Sequence, residues 1–223
     1  MIVSHEHKFI FCRTRKTASS SLQTALAGLC GPRDIIGDDI DRTVAGGDRS
    51  ARKYVPLMRY NSRELARLVV RGERRRYTPH SAARAVRRWV GGRTWNAYFK
   101  FAVERNPFDR AVSLYFWRTR EEAVRPAMDE FLRTVEKWAL SNWHIYAIGD
   151  GVALDYVARY EALDAGLRVI SSELGFRETL ELPQIKVGVR PGSADYREML
   201  SDDDVAVIRR LCRREIEHFD YCF

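Results

Sequence analysis

Residues 8–29 read KFIFCRTRKTASSSLQTALAGL, and the order of residue types implies a strand, a tight basic loop and a helix. The apolar run Phe9-Ile10-Phe11-Cys12 ends in Arg13, Arg15 and Lys16, and five small residues, Thr17-Ala18-Ser19-Ser20-Ser21, come next. Leu22, Leu26 and Leu29 then recur at helical spacing. Such a loop brings backbone N–H groups, hydroxyls and a helix N-terminus to one point, which suits a phosphate or sulfate group. The glycines of a GxxxxGK[ST] loop are absent.

The rest of the chain is enzyme-sized and globular in composition. Its 223 residues, 45% hydrophobic and 11% aromatic, can bury a proper core, most simply as one domain over 1–223. Cys12, Cys30, Cys212 and Cys222 show no paired ligand spacing, and reduced thiols are expected. No run of 18 or more apolar residues and no signal peptide is visible, so a soluble, cytoplasmic protein is the expectation. The net charge of +8 is concentrated: eleven arginines lie between Arg59 and Arg93, against only Glu64 and Glu73. That excess implies either an anionic partner or a solvated arginine-rich helix face, and composition leaves the two open.

Residues 31–61, rich in Gly, Asp and Arg, read as an irregular connection or flap. Helices are expected at about 62–71 and 81–90, opened by Ser62 and Ser81. A buried strand is expected over Tyr98–Glu104, then a helix with Asn106 as N-cap, Pro107 in its first turn and Asp109 completing a capping-box-like start. Another helix fits 127–140, with Phe131, Val135 and Trp138 on one face. A strand at Leu154–Tyr160 and a helix stopped by Gly175 come next. The last helix starts at Ser201 and buries Val205, Ile208, Cys212, Ile216 and Phe219. Alternating strands and helices imply an α/β fold, a parallel sheet flanked by helices with ligands beyond the strands' carboxyl ends.

FAVERNPFDRAVSLYFW, residues 101–117, is the second informative segment. Arg105 stands at a strand end, and Ser113 lies about two helical turns on, so a guanidinium and a hydroxyl can clamp a phosphate. An arginine that caps or pairs and a serine that back-bonds within its helix explain the same residues. KTASSSL and FKFAVERNPFDRAVSLY together resemble the two cofactor-binding signatures of sulfotransferases that use 3′-phosphoadenosine-5′-phosphosulfate, closest to the carbohydrate-sulfotransferase-like group with bacterial members. YVARYEAL (156–163) and EHFDYCF (217–223) are similar to later elements of that family. The resemblance implies the P-loop-NTPase-like sulfotransferase architecture.

It also implies roles. Lys16 would contact the 5′-phosphosulfate, Thr17, Ala18, Ser19, Ser20 and Ser21 would supply backbone and hydroxyl donors, and Arg13 would stand alongside. Arg105 and Ser113 would bind the 3′-phosphate, with Lys186 and Arg190 as further contacts or simply solvated charges. The general base implied is His80, in YTPHSAARAV, with Glu104 in reserve. No metal is implied, and Asp38, Asp39 and Asp41 read as a surface turn. The expected reaction moves a sulfuryl group to an acceptor hydroxyl of a carbohydrate or small molecule, possibly anionic, with no nucleic-acid or membrane partner. An atypical small-molecule kinase, using ATP with Mg²⁺, and an arginine-rich nucleic-acid-binding module remain as alternatives.

Overall fold

The computed structural model describes residues 1–37, 54–183 and 195–223. Two short strands, β1 (Ile2–Ser4) and β2 (Phe9–Phe11), pair antiparallel, and β3 (Ile35–Ile36) adds antiparallel to β1. β4 (Phe99–Glu104) lies parallel to β2, with Phe9 opposite Phe99 and Phe11 opposite Phe101. A small hairpin, β5 (Ala147–Ile148) with β6 (Gly151–Val152), stands apart from the sheet. β7 (Tyr156–Arg159) then pairs parallel with β4, giving the order β3-β1-β2-β4-β7. The expected parallel sheet is thus its β2-β4-β7 part. β1 and β3 extend it antiparallel, and β3 falls within the stretch expected to be irregular.

Side chains alternate across the pleat and define two cores. Phe9, Phe11, Phe101 and Val103 pack on one face beneath α1 (Ser19–Ala27), together with Leu167 and Ile170 of a later helix. Ile10, Cys12 and Ala102 pack on the other face with Val86 and Trp89, and with Tyr146. Being covered on both sides explains why β2 reads as a continuous apolar run.

The remaining helices are α2 (Ser62–Arg71), α3 (Ala83–Val90), α4 (Gly92–Ala97), α5 (Pro107–Arg118), α6 (Met128–Thr134), α7 (Lys137–Leu140), α8 (Trp143–Tyr146), α9 (Leu163–Glu173), α10 (Asp202–Leu211) and α11 (Arg213–Phe219). α9 carries the Leu167 and Ile170 named above. α5, α6, α7 and α10 enclose a third apolar cluster around Phe108, Val112, Phe131, Leu140 and Ile208.

Several expected boundaries shift for local reasons. Asn61, not Ser62, caps α2, through a reciprocal box in which Glu64 N–H donates to Asn61 Oδ1 at 2.8 Å and Asn61 N–H to Glu64 Oε2 at 2.9 Å. The Ser81 hydroxyl is taken by Thr78, so α3 begins at Ala83 without a side-chain cap. Asn106 and Ser201 cap as expected, whereas Asp109 pairs with Arg105 instead of closing a box. The helix expected over 127–140 breaks where Val135 and Glu136 turn extended. That break buries Ala139 and Leu140 and turns Trp138 outward, 52% exposed, away from the face it was expected to share with Phe131. The last helix breaks at Cys212.

Gly166 marks the closest approach of α9 to the sheet: a Cβ there would lie 2.6 Å from the Ala158 Cβ of β7. Helix propensity alone favours alanine over glycine by about 1 kcal/mol. Overpacking of a close contact costs about 1–3 kcal/mol, so the steric effect wins. Gly166→Ala should therefore lower the melting temperature. A rise would show that α9 can lift from β7 at no cost.

Candidate active site

The carboxyl ends of the three parallel strands meet at one place. The segment leaving β2 runs through Arg13 to Ala18, Arg105 comes directly after β4, and Tyr160 directly after β7. The Arg105 guanidinium stacks 4.3 Å over the Tyr160 ring and donates from Nη1 to the Lys16 carbonyl at 3.3 Å. The two sequence signatures are therefore in direct contact. Asp109 holds the other edge of Arg105, at 2.7 Å from Nε and 2.6 Å from Nη2. It is Asp109, one turn into α5, that engages this guanidinium, while Ser113 lies half-buried a further turn along.

The loop itself is wound tightly. Lys16 (φ 60°) and Ala18 (φ 53°) both adopt left-handed backbone, which costs a non-glycine residue about 1–3 kcal/mol and is held only by surrounding contacts. Those contacts consume hydroxyls expected to face a ligand. Thr17 Oγ1 lies 2.7 Å from Thr14 Oγ1, Thr14 Oγ1 donates to the Val103 carbonyl, and Ser19 Oγ donates to the Thr14 carbonyl at 2.6 Å. Ser20 Oγ accepts from Arg13 Nη2 at 2.8 Å. No side chain caps α1, whose first helical bond runs from Leu22 N–H to the Ala18 carbonyl. The N–H groups of Ser19, Ser20 and Ser21 thus form the positive end of an uncapped helix.

His80 and Lys16 bound this loop. His80 Nδ1 lies 2.9 Å from the Arg13 carbonyl; a carbonyl can only accept, so Nδ1 carries the proton and Nε2 keeps its lone pair. Burial first, then the charges of Arg13 and Arg15, push His80 down to about 3, so the ring stays neutral. Lys16 Nζ sits 4.5 Å over Trp117 of α5, whose ring also carries Arg120 at 4.2 Å. Lys186 and Arg190 lie outside the described residues, as do Asp38, Asp39 and Asp41. Among the described residues no group of three or more His, Cys, Asp or Glu could hold a metal ion, and no helix is long and apolar enough to cross a membrane.

Glu104 sits elsewhere than a base must. It is wholly buried, ion-paired with the equally buried Arg110, and accepts the backbone N–H of Arg105 at 2.9 Å. Arg110 also reaches Glu215 Oε1 at 3.5 Å and donates to the Leu140 carbonyl at 2.5 Å. Burial pushes the Glu104 carboxyl up, against the pull of Arg110, while the surrounding acidic groups outweigh burial and hold Arg110 charged. Asn142, fully buried, links this cluster to the loop. Its Nδ2 donates to Glu104 Oε1 (3.3 Å) and to the Arg15 carbonyl (3.2 Å), and its Oδ1 accepts Arg15 N–H at 3.0 Å. Glu215 accepts the Asn142 N–H at 3.0 Å and the Ser141 hydroxyl at 2.6 Å. Sequence reading gave no role to Asn142 or Glu215, which lie in unremarkable contexts, and it singled out the loop that carries Arg15 without assigning Arg15 itself.

The arginine-rich stretch divides in two. Glu64 binds Arg88 at 2.7 Å and approaches Arg75 at 3.6 Å, and Arg75 stacks 5.2 Å from Trp89, so these arginines fasten α2 and the strand-like 75–77 segment to α3. Arg63, Arg67, Arg71 and Arg74 face solvent. The excess is therefore partly structural and partly surface field.

The model of the sulfotransferase family matches residues 1–222, and the chain belongs to that family. A crystal structure of a sulfotransferase from Alicyclobacillus acidocaldarius is similar at a TM-score of 0.41 and 16% identity, covering 97% of this chain and 96% of that one. No curated protein matches.

Asn142 offers a test of the clamp in which charge and shape give opposite forecasts. Asn142→Ala leaves the Arg15 N–H and carbonyl without their partner, at about 1–3 kcal/mol for each unsatisfied buried group. Asn142→Asp keeps the shape and one acceptor, yet adds a third buried carboxylate beside Glu104 and Glu215, a larger penalty. Urea midpoints should fall further for Asn142→Asp than for Asn142→Ala. The reverse order would mean that shape, not charge balance, dominates here.

Proposed function

We propose that the chain transfers the sulfuryl group of 3′-phosphoadenosine-5′-phosphosulfate to an acceptor hydroxyl of a carbohydrate or small molecule, without a metal. The observation that carries this reading is the uncapped start of α1, joined through the Lys16 carbonyl to Arg105. A phosphosulfate supplies an activated sulfuryl group and needs donors where charge develops on the departing oxygen. The N–H groups of Ser19 to Ser21, with Lys16 and Arg13, fit that need. Thr17 and Ala18 shape the turn, since the Thr17 hydroxyl is tied to Thr14 and Ala18 takes the left-handed N-cap position. Arg105, preset by Asp109 and Tyr160, is assigned the 3′-phosphate with Ser113, and Lys186 and Arg190 remain candidates for a further contact. Acceptor proton removal falls to Nε2 of His80, whose tautomer the Arg13 carbonyl sets. A cytoplasmic setting accords with four cysteines that are not joined in disulfides.

Thermal-shift assays should show the bisphosphate product, 3′,5′-adenosine bisphosphate, raising the melting temperature well above ATP or AMP at equal concentration. Equal shifts for ATP and the bisphosphate would overturn the donor assignment. His80→Ala should lower turnover by about 10²–10⁴ and leave bisphosphate affinity nearly unchanged.

The pH profile tests His80 more sharply. With His80 held at about 3 in the free protein, kcat/KM should show no acid limb from an ordinary histidine near 6.5. An anion beside Arg13 and Arg15 offsets the charges that depress the ring, so His80 should protonate more readily in the ternary complex. The acid limb of kcat should therefore lie at higher pH than that of kcat/KM. A kcat/KM limb near 6.5 that disappears in His80→Ala would contradict the depressed histidine.

A further inference from the structure

α2 is an amphipathic helix set with its apolar side outward. None of its ten residues is buried, and Glu64 and Leu68, one turn apart, are the least exposed. Polar contacts fasten it: the capping box at Asn61 and the pairing of Glu64 with Arg88. At 3.6 residues per turn, Ser62, Leu65, Ala66, Val69 and Val70 fall on the side away from Glu64 and Leu68. Val69 is 83% exposed and Val70 80%. A 3₁₀ turn just ahead of the helix, Leu57–Arg59, adds Leu57 and Met58, the latter 86% exposed. Among the described residues eight large hydrophobic side chains are exposed, and five of them lie within 57–70. Scattered apolar surface residues are ordinary, whereas a cluster on one helix face implies something that covers it.

Charge decides between the possible occupants. Arg63, Arg67 and Arg71 recur at every fourth position and form one exposed stripe along the flank of this face, with Arg74 just beyond the helix. Against these four arginines, Glu73 is the one exposed carboxylate within 57–74. An apolar face edged by cations matches a bilayer that carries anionic headgroups: the apolar side chains enter the boundary between headgroups and acyl chains, and the guanidinium groups meet the phosphates and carboxylates. A nucleic acid would meet the arginines but leave the valines in water. A second copy fits poorly as well. The face is about 15 Å long and about 10 Å across, small beside the roughly 800 Å² that each partner buries in a stable dimer. Pairing α2 with α2 would also bring two arginine stripes together.

We propose that α2 and the turn before it dock this protein on an anionic membrane surface, with the helix lying in the plane of the interface. The assignment departs from the sequence expectation of no membrane partner. The lack of a long apolar helix among the described residues speaks against a span, and not against a short helix that lies flat. It stands independently of the sulfuryl-transfer reading, since none of these residues belongs to the loop or to the Arg105 turn. The valines supply the burial, and the arginines supply attraction and the preference for anionic lipid.

The test is flotation of the full chain with vesicles of phosphatidylcholine containing about 30% phosphatidylserine, and with vesicles of phosphatidylcholine alone, at about 0.1 M salt. The wild type should partition to the anionic vesicles about tenfold or more in preference to the neutral ones. Val69→Ser/Val70→Ser keeps every charge and alters only exposed side chains, and its melting temperature checks its fold. It should bind the anionic vesicles about fivefold more weakly or worse. Leu57→Ser/Met58→Ser serves in its place should that variant not fold. Arg67→Gln/Arg71→Gln, which keeps the apolar face, should lose the preference for phosphatidylserine. No binding to the anionic vesicles overturns the proposal. Serine variants that bind as the wild type does overturn it too, by reducing the attraction to the net charge of the chain. Sedimentation velocity without lipid covers the remaining occupant: a dimer that the serine substitutions dissociate would give the face to a second copy and overturn the membrane assignment.

Discussion

The amide of Asn142 grips the main chain of Arg15 from both sides, and the rest of the site depends on that grip. A loop with two non-glycine residues in left-handed conformation does not hold its shape unaided. Asn142 supplies an acceptor and a donor to one peptide segment, as a neighbouring strand would. Its own orientation is set by Glu104 and Glu215, which Arg110 keeps together inside the protein. Three buried charges are costly unless each is paired and hydrogen-bonded. Here they tie the ends of β4, α7 and α11 to the loop after β2 and so brace that loop.

The break at Cys212 belongs to this same arrangement. A continuous helix over 201–219 would not carry the turn that aims Glu215 inward; the structure divides it into α10 and α11. Cys212 itself packs against Arg110 and the Leu140 carbonyl, each at 3.6 Å, and burial pushes its thiol up to about 12. The same junction exposes Arg213 and Arg214 to solvent. A buried acidic anchor and exposed basic charge thus come from adjacent residues of one turn.

Local patterns in the chain carried a large part of this architecture. The apolar run at 9–12, the small residues at 17–21 and the Asn106-Pro107 helix start identify β2, the loop, α1, β4 and α5 with nearly correct limits, because each is decided by neighbours in sequence. β1 and β3 were not legible: Ile2–Ser4 and Ile35–Ile36 are too short to show a period, and β1 becomes a strand only by pairing with β2, β3 only by pairing with β1. Trp138 was misplaced because helical periodicity continues through 127–140, while two extended residues at 135–136 rotate the turn that carries it. Serine hydroxyls in the loop looked like ligand donors, but Ser19 donates to the Thr14 carbonyl, while Ser20 accepts from Arg13 and keeps its O–H to donate. Asn142 could not be found from sequence, since nothing within its own segment marks an asparagine that reaches a backbone 127 residues away.

A loop braced through Asn142 should offer its backbone N–H groups to an anionic donor, and amide hydrogen exchange reads those groups directly. The measurement covers residues 16–22, with and without 3′,5′-adenosine bisphosphate. Exchange at Lys16 to Ser21 should slow when the bisphosphate binds, with a much smaller change for AMP. Tight bisphosphate binding that left those amides exchanging as before would contradict the role given to the loop.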